Sequence, residues 1–123
     1  MDTKIRSFQD LIAWQEGHKL AITIYTITEK FPSRESHSLV DQMRRCAVSI
    51  TSNVAEGFSR KSKKEKMQFY YTSLGSVTEL QNQLILSRDI QYLDKLVFED
   101  INTQIIKVHK LINGLIKSSK DHT

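Results

Sequence analysis

The sequence predicts an all-α protein, an antiparallel up-down-up-down four-helix bundle, on three observations. Apolar residues recur at helical spacing along four stretches of the 123 residues, which lays them on one face of each stretch. Four glycines and one proline are all that punctuate the chain, so the elements run long. No segment alternates apolar and polar residues over a length that would make a strand. The pattern places helices at about 8–31, 38–56, 62–90 and 94–117, between an N-terminal tail (1–7) and a C-terminal tail (118–123). Short connections between long helices make sequential neighbours antiparallel.

The first helix carries Leu11, Trp14, Ala21 and Tyr25 on one side, widened by Ile12, Leu20, Ile24, Ile27 and Phe31. Pro32 is expected to end it, because the residue before a proline is pushed out of the α region. Ser38 is placed to cap the second helix, with Asp41 in its first turn, where a carboxylate suits the helix dipole. Its face is Leu39, Met43, Cys46, Ile50 and Val54. Gly57, followed by apolar Phe58, stands where a left-handed residue would close it. The third helix opens on the capping box Ser62-Lys63-Lys64-Glu65 and continues through Met67, Tyr70, Leu74, Val77 and Leu84. At about 28 residues it would extend roughly 42 Å. Asp94 can cap the fourth, whose stripe is Val97, Ile101, Ile105, Val108, Ile112 and Leu115.

The middle helices are short of charge. Residues 46–55 contain none, and Glu79 is the one charged residue between Met67 and Ser87. Both stretches are rich in small side chains, and Gly75 in a helix interior costs about 1 kcal/mol relative to Ala. A second packing partner accounts for that cost, so Val48, Ser52, Ala55, Ser73, Gly75 and Ser76 are expected at an interface between copies of the chain. Uncharged Ser, Thr, Asn and Gln can also simply face water.

Several chemistries are excluded. The length fits one domain, which argues against a two-lobed enzyme. One cysteine makes no intramolecular disulfide or Cys-rich zinc site. Glycines at 17, 57, 75 and 114 form neither a dinucleotide fingerprint nor a P-loop. No glutamate has a histidine three residues on, as a di-iron bundle requires, and His18 and His109 have no ligand-type residue one turn away. Neither metal nor cofactor is expected. Cys46 reads as a small core hydrophobe, and Asn53 and Glu56 as local hydrogen-bonding groups. The start has no signal-peptide core and no stretch approaches 18 apolar residues, so the expectation is a cytoplasmic protein without a membrane partner.

Charge points to the candidate site. Residues 1–59 sum to zero, as do residues 67–123. The whole net charge of +4 sits in Arg60-Lys61-Ser62-Lys63-Lys64-Glu65-Lys66. A basic excess favours acidic partners, chiefly nucleic acid or an anionic membrane surface, although a short lysine run is also what a solvated corner looks like. Of the adjacent aromatics, Tyr70 belongs to the core. Phe69 and Tyr71 are open to either packing or base stacking.

Phe31-Pro32, the run Leu39 to Ile50, Ser52-Asn53-Val54-Ala55-Glu56-Gly57 and Arg60 resemble the four-helix-bundle proteins encoded in 23S ribosomal RNA intervening sequences, often labelled ribosomal protein S23. Phe69, Gly75-Ser76, Glu79-Leu80 and the run Leu111 to Leu115 continue the resemblance, which covers about residues 8–117. The same fold family includes the accessory variability determinant of diversity-generating retroelements, a basic pentameric barrel that binds nucleic acid and a reverse transcriptase. The resemblance implies a ring-like homopentamer and a nucleic-acid-binding role without catalysis. It also matches Arg44, Arg45 and Arg60 to basic places in the motif, whereas Lys61, Lys63, Lys64 and Lys66 follow from charge alone. Thr51 stands where the family usually has proline, Cys46 where it usually has alanine, and His37-Ser38 where an aromatic-glycine pair is common. The reading is therefore a non-catalytic, oligomeric scaffold for an RNA or DNA backbone. Its alternative is a structural adaptor for a protein such as a reverse transcriptase.

Overall fold

Four α-helices joined by short connections make up residues 4–121, the part described by the structure, a computed structural model. They are α1 (Ile12–Thr28), α2 (Leu39–Ser59), α3 (Lys63–Asp89) and α4 (Lys95–Asp121). The first predicted helix is interrupted at its start. Phe8–Asp10 is a separate 3-10 turn, capped by Ser7, whose Oγ accepts from Gln9 N at 3.2 Å while Asp10 Oδ2 accepts from Ser7 N at 3.1 Å. Leu11 then adopts an extended conformation before α1 begins. The far end of α1 stops at Thr28, four residues before Pro32, although Phe31 still packs into the core.

Packing runs around the bundle, α1 on α2, α2 on α3, α3 on α4 and α4 back on α1, with no comparable approach across either diagonal. Each helix contributes fully buried side chains: Leu20 and Ile24, Met43, Ile50 and Val54, Val77, Leu80 and Leu84, then Ile101, Ile105 and Ile112. The predicted stripes of α2 and α4 are thus the faces that become core, and burying each such side chain contributes about 1.5–3 kcal/mol. Within the described residues no helix is long and apolar enough to cross a membrane.

The most extensive seam lies between α2 and α3, and small residues make it close. Ser73 Oγ donates to Ile50 O at 2.7 Å, Cys46 Sγ to Ser76 O at 3.0 Å, and the Ser49 and Ser76 hydroxyls share a hydrogen bond of 2.9 Å. Ser73 is wholly buried inside the protomer, so it cannot line a surface between copies. Its hydroxyl satisfies a main-chain carbonyl already spoken for by the seam.

Local punctuation departs from expectation at three places. Gly57 does not close α2 with a left-handed turn, since the helix continues to Ser59 and no glycine has positive φ. Its role is close approach: a Cβ there would lie 2.6 Å from the Tyr70 ring. Ser38 precedes α2 but its hydroxyl makes no cap, turning instead to Glu35 Oε1 at 2.6 Å. Residues 118–121, expected as tail, extend α4. Ser62 and Asp94 do cap, through Glu65 N at 3.1 Å and Val97 N at 2.8 Å. With Thr51 inside it, α2 is one continuous helix.

Candidate nucleic-acid interface

Two residues, Lys61 and Ser62, separate the end of α2, capped by Arg60, from the start of α3. The five cations of this corner fall into two groups. Lys66 is structural: its Nζ donates to Phe58 O at 2.8 Å and, beside the Arg60 amide, to Gly57 O at 3.3 Å, capping the last carbonyls of α2. Burial lowers its pKa. Arg60 pairs with Glu56 (3.0 Å) and lies over the Phe69 ring at 4.9 Å, with Nε buried and unpaired. Lys63 Nζ donates to Lys120 O at 2.6 Å, tying the start of α3 to the end of α4. Lys61 and Lys64 are exposed, and among the described residues neither makes an ion pair.

Antiparallel packing brings further cations to the same end of the bundle. The segment before α1 supplies Lys4 and Arg6, both exposed, and the last turns of α4 supply Lys117 and Lys120. Among the described residues the carboxylates there are Asp10, Glu56 and Glu65. Asp10 is engaged by the main-chain amides of Arg6 and Ser7, which hold its carboxyl below the usual value. Glu56 pairs with Arg60, and Glu65 accepts from Ser62 Oγ at 3.2 Å. This end is therefore richer in cations than the sequence corner alone.

Arg44 and Arg45 are not part of it. Arg60 caps α2 fifteen positions after Arg45, about 22 Å at 1.5 Å per residue. Arg44 is also enclosed. Its Nε donates to Thr28 Oγ1 at 3.0 Å, its Nη2 to Tyr25 O at 3.2 Å and Glu29 Oε1 at 3.0 Å, and its guanidinium sits 4.7 Å above the Tyr25 ring. Arg45 is exposed and paired with Asp41 at 3.1 Å. The resemblance supplied both residues, and helix length is what separates them from the corner.

Of the residues expected between copies, Val48, Ser52 and Gly75 are exposed, Ala55 and Ser76 half-buried. A Cβ at Gly75 would meet nothing within 4 Å. Ile22 and Tyr25 of α1 are exposed on the α1–α2 side, together with Val48. Cys46 is buried with its thiol pKa pushed up to about 12 by burial, which suits a packing residue and not a nucleophile. Among the described residues no three His, Cys, Asp or Glu side chains gather as a metal set.

The comparisons accord with this architecture. A protein of unknown function from the S23 ribosomal protein family of Bacteroides thetaiotaomicron VPI-5482 has the same fold, with a TM-score of 0.80 at 20% identity, over 86% of this chain and 96% of that one. None of the curated proteins matches the sequence. Residues 9–114, from the 3-10 turn to the last turns of α4, match the family described as 23S rRNA-intervening sequence protein. With the four helices and the α2–α3 seam inside that span, the chain belongs to the 23S rRNA-intervening sequence protein family.

Proposed function

We propose that this protein is a non-catalytic, oligomeric scaffold that holds the phosphate backbone of RNA or DNA on the basic end of its bundle. The observation that carries this reading is the convergence of cations from three segments: Lys4 and Arg6, the 60–66 corner, and Lys117 with Lys120. Among the described residues no carboxylate pairs with Lys61 or Lys64. Lysines so placed neutralise phosphates and release counterions, with little base readout. Copies joined through Val48, Ser52, Ala55, Gly75 and Ser76 would repeat the basic end around a symmetry axis, strengthening its field.

The test is affinity for RNA and DNA across a salt series, for the wild type and for Lys61→Ala/Lys64→Ala. Phosphate binding predicts a linear fall of log affinity with log salt, and a slope shallower by about 1.5–2 in the variant. Weak binding with no slope would refute the reading and leave the adaptor, with any nucleic acid held by a partner such as a reverse transcriptase. Mass in solution tests assembly separately: a species of 14.3 kDa would refute the oligomer.

A further inference from the structure

Tyr70 and Tyr71 are adjacent on α3 and have opposite surroundings. Tyr70 is 2% exposed, packed against Gly57, whereas Tyr71 is 47% exposed. Tyr71 lies on the outer face of α3, in register with Lys64 (i−7), Gln68 (i−3) and Gly75 (i+4), all exposed. Its ring faces the end of α4, with Lys120 Nζ at 5.5 Å from the centroid.

The other aromatics near cations are engaged differently. Phe69 lies under Arg60, which is itself paired with Glu56, and the exposed Tyr25 lies under Arg44, which is anchored by three hydrogen bonds. Among the described residues no carboxylate pairs with the ammonium of Lys120, which sits near the outer limit of a cation–π contact. It can leave the ring for a phosphate at little cost.

We infer that Tyr71 is a stacking platform for an unpaired base, with Lys120 and Lys64 on the flanking phosphates, so that the polyanion taken by the basic end is a single strand. This rests on the backbone-binding reading above and adds the class of nucleic acid. In a duplex the bases are already stacked on one another and a tyrosine on a helix surface meets only phosphate and sugar. An unpaired base offers its π face to the ring.

Fluorescence anisotropy with a labelled short oligouridylate and an RNA duplex of equal length, at one salt concentration, tests it. Tyr71→Leu is expected to weaken oligouridylate binding about fivefold or more while leaving the duplex within about twofold, and Tyr71→Phe to bind as the wild type. The duplex affinity doubles as a check that the variant is folded, and Tyr71→Trp, with its larger ring, is expected to tighten the strand. No loss in Tyr71→Leu, or an equal loss on both polymers, would overturn the stacking role while backbone binding stood. A wild type that binds neither polymer would overturn the backbone-binding reading, and the stacking role with it.

Discussion

Where α1 gives way to α2, the two arginines of α2 have partners inside the protein, while Arg34 in the connection itself is exposed. Arg44 bridges Thr28, Tyr25 and Glu29, Arg45 holds Asp41, and on the neighbouring α3–α4 connection Arg88 pairs with Asp89 and lies 4.5 Å above the Phe98 ring. At the opposite end Lys61 and Lys64 reach water, with no ion pair among the described residues. Cation numbers alone do not separate the two ends. Carboxylates are interleaved at one and sparse at the other, so charge is consumed locally in the first and left over in the second. Even within the basic corner the distinction recurs two residues apart, where Lys66 caps α2 and Lys64 caps nothing.

The largest effect is expected from removing an enclosed cation. Arg44→Ala should lower unfolding free energy by about 2 kcal/mol, because the hydrogen bonds it donates are charge-assisted and partly shielded. Its pair with the exposed Glu29 adds little. Urea denaturation measures the loss, and affinity for polyanions should not change. A drop in affinity equal to that of Lys61→Ala/Lys64→Ala would break the comparison, by showing that both ends bind.

Two helical glycines give the next contrast, with opposite signs. Gly57→Ala would drive a Cβ into the Tyr70 ring at 2.6–2.8 Å and should cost about 1–2 kcal/mol, overpacking outweighing the better helix propensity. Gly75→Ala meets open space and should stabilise the protomer by about 1 kcal/mol. Thermal midpoints of the two variants check both signs. If Gly75→Ala stabilises the fold yet weakens self-association, the open face of α3 belongs to the interface between copies.

Much of this was readable in the sequence, and the failures have physical causes. The stripes of α2 and α4, the caps at Ser62 and Asp94 and the burial of Tyr70 and Cys46 follow from spacing and local chemistry, whereas Ile12 and Tyr25, expected on the apolar side of the first helix, are exposed. Gly57 followed by Phe58 has the same local pattern whether it ends a helix or makes room for a ring, and only Tyr70, far along the next helix, decides. Ser73 illustrates the same limit. A run of small uncharged residues signals close packing but does not say against what, and here part of it is the protomer's own α2–α3 seam. Charge by sequence position located Lys61 and Lys64 but missed Lys117 and Lys120, whose segment sums to zero. Antiparallel packing brings them to the corner, and no local signal in the sequence records it.

Within the corner, Lys66→Met should cost about 1 kcal/mol in stability by uncapping Gly57 and Phe58. Lys61→Ala/Lys64→Ala should stay within about 0.5 kcal/mol of the wild type while losing polyanion affinity. Denaturation and binding measured on the same preparations separate the two roles. A stability loss in the double variant would mean that these lysines also serve the fold.

Acid offers the smallest and most local test of the paired end. Glu35 accepts from Ser38 Oγ at 2.6 Å and from Tyr92 Oη at 2.7 Å, joining the α1–α2 connection to the α3–α4 connection. Those hydrogen bonds, Ser38 first and Tyr92 second, hold its carboxyl below the ordinary glutamate value of 4.5. A depressed folded-state pKa means that the unfolded chain takes up the proton first, so the stabilisation is present above 4.5 and is lost as pH falls through the lower folded value. Glu35→Gln should therefore be less stable than the wild type at neutral pH and converge with it on acidification. Asp10 and Glu16 have depressed values too, so the difference between variant and wild type, and not the wild-type curve, isolates Glu35. A gap that stays constant from neutral to acid pH would mean that the tie across the two connections does not depend on the carboxylate, and the paired end would then owe its order to packing of Phe31 against Tyr92, whose rings lie 5.2 Å apart.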